Sequence, residues 1–133
     1  MKRLLIIDED TDVLDSMKLL LESYFQVCLA RNGVEGLTEM DSGFIPDGIL
    51  LDLAETAPAF LAELGRRGLK IPVLALTADP GAATRAQELG VDEVLRKPFT
   101  YEQLKEKLER LLKSPGGPRS GAGFLNGLTL VAV

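Results

Sequence analysis

Five times along this chain a short, almost uninterrupted apolar run gives way to a longer amphipathic stretch. That alternation narrows the fold sharply. A strand that is apolar at every position must be covered on both faces, and the cover at hand is the amphipathic helix that follows it. The runs RLLII, QVCLA, GILLD, PVLAL and DEVL place strands at about 3–7, 26–30, 48–52, 72–76 and 92–95. The expected fold class is therefore α/β, a doubly wound parallel sheet of five strands with helices on both faces. At 133 residues and 46% hydrophobic content the chain can build one core, and it is too short for two ordinary domains.

The intervening stretches carry helix signals. From about Asp12 to Tyr24, Val13, Met17, Leu20, Leu21 and Tyr24 recur at helical spacing, with Asp10 or Thr11 placed to cap the start. Asn32 with Glu35 three positions on reads as a second, box-like start. A third helix is expected from about Pro58, ending in Arg66 and Arg67 before Gly68, which suits a helix C-terminus by dipole and by backbone freedom. Asp79-Pro80 opens a fourth. Thr100 and Gln103 form a capping box for the last, whose Leu104, Leu108, Leu111 and Leu112 make one apolar stripe. After Lys113 the composition turns to SPGGPRSGAG and then FLNGLTLVAV, so residues 1–113 are expected to form the domain and 114–133 a Gly/Pro-rich linker with an apolar tail. The β-prone LTLVAV segment is expected either to dock on this domain, on a second copy as in a homodimer, or on a partner, or to be a disordered end or a piece of a longer chain.

Composition removes several function classes. The chain has no histidine, which excludes Ser-His-Asp and Cys-His nucleophile systems and every imidazole metal site. Its single cysteine, Cys28, allows no intrachain disulfide and reads as a small buried hydrophobe. A net charge of −5 argues against direct nucleic-acid binding, which rests on clustered Lys and Arg. The start MKRLLIID is too short and too soon acidic for a signal peptide, and no run approaches a membrane span, so a cytoplasmic protein is expected.

In LLIIDEDTD a buried strand runs straight into four carboxylates, and crowded carboxylates raise one another's pKa unless a cation or donor answers them. Ligands of open parallel sheets bind beyond the carboxyl ends of the strands. There this sequence places Asp8, Glu9 and Asp10 after the first strand, Asp52 at the end of the third, Thr77 after the fourth and Lys97 after the fifth. Acidic oxygens with few fixed protein contacts suit Mg²⁺. Mg²⁺ and Lys97 together would keep the acids ionised. An ionised Asp can attack phosphorus, and Mg²⁺, the Thr77 hydroxyl and the Lys97 ammonium could then stabilise the transferring group.

Residues 2–113 resemble the receiver domain of two-component response regulators. The resemblance rests on IID8E9D10, PDGILLD52L, ALT77A and RK97PF, in that order and at strand ends. It implies a flavodoxin-like fold with sheet order 2-1-3-4-5 and a phosphoryl group received on Asp52 from a sensor histidine kinase or a histidine phosphotransfer protein. It also implies Mg²⁺ held by Glu9, Asp52 and the Ala54 carbonyl, with Asp8 reaching it directly or through water. Thr77 would turn to the phosphoryl group and Lys97 would pair with Asp52 or the phosphate. The Lys97–Pro98 bond is expected to be cis. The implied role is signalling by changed protein–protein contacts with an output partner, and not turnover of a substrate.

This sequence departs from the family pattern in two places. AETAPAF follows the acceptor and only 25 positions separate Asp52 from Thr77, so the loop over the site and the third helix are expected to be short. Val94 stands where an aromatic switch residue is common, which argues against a Thr-aromatic switch. Phe99 and Tyr101 read as packing residues. Two other functions fit parts of the pattern. A haloacid-dehalogenase-type phosphatase would use Asp8 as nucleophile and Asp10 as acid/base, with Thr77 and Lys97, but it leaves Asp52 idle and finds Asp12 where that motif takes Thr or Val. A receiver-shaped adaptor would work without phosphorylation. Taken alone, Asp10 reads as a helix cap and not a ligand.

Overall fold

The computed structural model describes residues 1–113, so the expected linker and docking tail, 114–133, lie outside the described residues. The elements run β1 (Arg3–Ile7), α1 (Thr11–Leu21), β2 (Gln26–Ala30), α2 (Gly33–Asp41), β3 (Gly48–Asp52), α3 (Ala57–Arg66), β4 (Val73–Thr77), α4 (Pro80–Arg85), a 3-10 turn (Ala86–Leu89), β5 (Glu93–Arg96) and α5 (Tyr101–Leu111). The five strands form one sheet in the order β2-β1-β3-β4-β5, every pairing parallel. The expected flavodoxin-like topology is thus the observed one. No helix among the described residues is long and apolar enough to cross a membrane.

Alternate residues of the central strands feed two cores, as the two-residue period of a strand requires. Leu4, Ile6, Leu50, Leu74 and Leu76 face α1 and α5, where Met17, Leu21, Tyr101, Leu104 and Leu108 cover them. Leu5, Ile7, Ile49, Leu51 and Ala75 face the other way, against Met40, Ala57, Phe60 and Leu64. Phe99 and Tyr101 are packing residues, as expected, each 1% exposed. Cys28 is half-buried against the second core, and burial first, with Glu39 beside it, pushes its thiol up to about 11.

Element boundaries differ from the expected ones in ways the local chemistry explains. β4 and β5 each begin one residue late. Pro72 has no N–H for the ladder, although its carbonyl accepts from Ile49 at 2.9 Å, and Asp92 turns its side chain to cap the Val73 N–H at 2.8 Å. Met17 and Leu21 of the series expected for α1 are buried, joined by Leu14, while Val13, Leu20 and Tyr24 pack partly buried on the flank. Glu35 does not close a box on Asn32. Asn32 Oδ1 accepts the Glu35 N–H at 2.9 Å, while the Glu35 carboxylate takes the backbone N–H and guanidinium of Arg31. The Thr100–Gln103 capping box is present, and α3 stops where Gly68 adopts φ 71°, in the left-handed region.

Candidate functional site

The carboxyl edge of the sheet is where four loops leave the core, and the register fixes which side chains arrive there. Ile7 pairs with Ala30 and Leu51, Asp52 with Leu76, and Thr77 with Arg96, so Asp8, Asp52, Thr77 and Lys97 end four adjacent strands at one level. The Lys97–Pro98 peptide is cis, as expected.

Lys97 is the centre of the arrangement. Its Nζ donates to Asp8 Oδ2 at 2.7 Å and to Asp52 Oδ1 at 3.1 Å, which brings two carboxylates from separate loops onto one ammonium. Asp8 is 2% exposed, and its other oxygen accepts the Asp10 N–H at 2.9 Å. Among the described residues Lys97 is the one hydrogen-bonding partner of the Asp52 carboxylate, which leaves an oxygen of that half-buried group open.

Burial and neighbouring charge pull the two groups in opposite directions. Burial raises the Asp52 pKa, and the Asp8 charge raises it further, against the pull of Lys97; Glu9 adds a smaller push. Burial works against the Lys97 ammonium, but its hydrogen bond to Asp8 and the charges of Asp52 and Asp8 outweigh that cost, and its pKa rises. The crowding of acids read in the sequence is thus answered by Lys97.

Thr77 is 4% exposed, with its Oγ1 accepting the Asp79 N–H at 3.0 Å while Asp79 Oδ1 caps α4 at Gly81. The Thr77 hydroxyl hydrogen therefore remains available as a donor. Ala54 sits two residues past Asp52, where its N–H donates to the Asp52 carbonyl at 2.9 Å and its own carbonyl accepts from Ala57 at 3.1 Å. A carbonyl has two lone pairs, so one is left for a cation.

Glu9 is exposed and acts on Asp52 through charge, but among the described residues no three carboxylates are gathered as a metal cluster. The acids brought together are Asp8 and Asp52, a pair that matches the one or two carboxylates with which Mg²⁺ is held while it keeps several waters. Asp10 is a cap, accepting from Asp12 and Val13 at 2.9 and 3.4 Å. Asp10 is used as the cap of α1, and Asp8 is buried with both oxygens bonded, so the phosphatase arrangement lacks an open nucleophile.

One contact was not legible beforehand. Thr56 Oγ1 accepts the Gly33 N–H at 3.2 Å, joining the loop after Asp52 to the start of α2. Thr56 before Ala-Pro signals a cap for its own helix, and nothing local points to a partner 23 positions earlier.

Comparison with known proteins gives a consistent result. Residues 4–109 match the family model described as response regulator receiver domain. The chain is 36% identical over 121 residues to the transcriptional regulatory protein CiaR of Streptococcus pneumoniae, covering 87% of this chain and 54% of that one. It is 34% identical to response regulator MprA of a Mycobacterium species, covering 96% and 59%. The chain thus spans about half the length of the curated relatives it matches. A solved receiver domain of a signal transduction histidine kinase from Syntrophus aciditrophicus superposes with TM-score 0.74 at 29% identity, covering 90% of this chain and 96% of that one.

Proposed function

From the premise that this chain belongs to the response regulator receiver domain family, we propose that Asp52 is its phosphoacceptor. The observation that carries this reading is the Lys97 ammonium held between Asp8 and Asp52 at the sheet's carboxyl edge. Receiver domains of this family generally use Mg²⁺ and are phosphorylated by histidine kinases.

Here Glu9, Asp52 and the Ala54 carbonyl would hold Mg²⁺, with Asp8 reaching it directly or through water. When bound, the ion supplies neutralisation of charge on the transferring phosphoryl oxygens. The chain does the rest. An Asp52 oxygen attacks phosphorus and forms a P–O bond, while the bond from phosphorus to the donor breaks and its electron pair leaves with the donor. Lys97 releases Asp52 for attack and follows the negative charge onto the phosphoryl oxygens. Thr77 donates its free hydroxyl hydrogen to another of those oxygens without giving up the Asp79 N–H. Asp8 keeps Lys97 charged and in place.

The donor is a phosphohistidine on a sensor kinase or phosphotransfer protein, and the output is a changed contact with a partner protein, a second copy included. The site takes and loses its own phosphoryl group and turns over no other substrate. A cytoplasmic location agrees with such donors. The deciding experiment is incubation with Mg²⁺ and acetyl phosphate, followed by mass mapping of wild type and Asp52→Asn. One added phosphoryl group at Asp52 that vanishes in the variant is expected. Modification at Asp8 that persists in the variant would instead restore the phosphatase reading, and no modification at all would leave the adaptor.

A further inference from the structure

We infer that Thr56 is a positioning residue for the phosphoacceptor site, acting through the loop Leu53–Thr56; this rests on the phosphoacceptor reading of Asp52. Thr56 occupies the N-cap position of α3, where a threonine ordinarily accepts an N–H from its own helix, yet it makes no such bond. Its backbone, at φ −84° and ψ −8°, is already helical, and its hydroxyl faces α2 instead. There it accepts from Gly33, the first residue of α2, whose N–H has no acceptor within its own helix. Asn32 takes the Glu35 N–H, so Thr56 and Asn32 satisfy two of the unsatisfied donors of that first turn.

The contact is tight. A Cβ built on Gly33 would lie 2.9 Å from Phe60 Cβ and 3.4 Å from the Thr56 carbonyl oxygen, so the two backbones meet with no room for a side chain. The loop is then fixed at both ends. Leu53 donates to the Leu76 carbonyl at 2.9 Å on the acceptor side, and Thr56 is held to Gly33 on the other. Ala54 lies between these two anchors, with its carbonyl pinned by Ala57. A loop this short transmits a shift at Thr56 to the Ala54 carbonyl, and outer contacts of this kind set ligand affinity by orienting the inner ones.

The test compares Thr56→Val, which keeps the shape and removes the acceptor, with Thr56→Ser, which keeps the acceptor. Thr56→Ala is a second loss-of-acceptor variant in which water can reach the Gly33 N–H, for use if the valine protein does not fold. Three readouts are taken on the intact chain: Gly33 amide exchange, titration with Mg²⁺ alone, and the rate and lifetime of acetyl phosphate labelling. Loss of the acceptor is expected to speed Gly33 exchange and weaken Mg²⁺ binding about tenfold, with serine restoring both. Faster Gly33 exchange with unchanged Mg²⁺ affinity would overturn the inference. A wild type that binds Mg²⁺ but takes no phosphoryl group would sink the phosphoacceptor reading alone, since the titration still judges Thr56. Absence of Mg²⁺ binding by the wild type would overturn both.

Discussion

Under α1 and α5 the sheet is covered by large side chains, with Met17, Phe99, Tyr101, Leu104 and Leu108 all buried, whereas on the opposite face Gly36 lets α2 close on Ile7 of β1, Gly33 lets it close on Phe60 of α3, and Ala57 and Ala86 are among the buried residues. The first face is thick and strongly capped, since α5 opens with a complete capping box and α1 with Asp10. The second is thin and its last helix is weak. α4 has six residues, buries none of its side chains, and is followed by a 3-10 turn whose Ala86 is its one buried residue. The loops that follow Asp52 and Thr77 both lead into helices of this thin face. Stability and adaptability are thus housed on opposite sides of one sheet, and local opening is expected first around α4.

Substitutions can break that contrast or sharpen it. The largest effect is expected for Leu104→Ala, which removes a fully buried side chain from the thick face and should cost about 2–5 kcal/mol in urea unfolding. A loss no greater than that of Leu89→Ala, at a partly exposed position on the other side, would show the two faces to be equally deep. Next comes Gly33→Ala, where the new methyl meets the Phe60 stem; a cost of about 1–3 kcal/mol is expected from overpacking. A neutral result would mean that the thin face has slack.

Smaller, and opposite in sign, is Asp52→Asn. Because the folded Asp52 pKa is raised, the charged carboxylate opposes folding above that pKa, and its penalty vanishes below the ordinary aspartate range. The variant should therefore unfold at a higher urea concentration than wild type at pH 7, with the gap closing as pH falls through about 4. A variant less stable than wild type at pH 7 would show that Lys97 dominates the site. Smallest is Gly65→Ala, near the end of α3 with open space around its would-be Cβ, expected to stabilise by about 0.5–1 kcal/mol. Destabilisation there would place a neighbour where none is seen.

The sheet was legible because its strands are continuously apolar, and the site because its residues end those strands. What stayed hidden depended on three-dimensional neighbours. Met17 and Leu21 belong to both the expected and the buried series of α1, and only the sheet beneath it puts Leu14 in the buried stripe and Val13 and Leu20 on its flank. Glu35 sits at capping-box spacing, but an arginine one residue before the cap claims its carboxylate. Thr56 is the clearest case, since its partner lies on another helix.

Lys97 meets Asp52 across 45 positions and Asp8 across 89. While the chain leaves the ribosome, both acids emerge long before the amine that neutralises them, and the strand carrying it forms the sheet's outer margin. A chain that has not yet added that margin carries the acids of the rim without the amine that answers them.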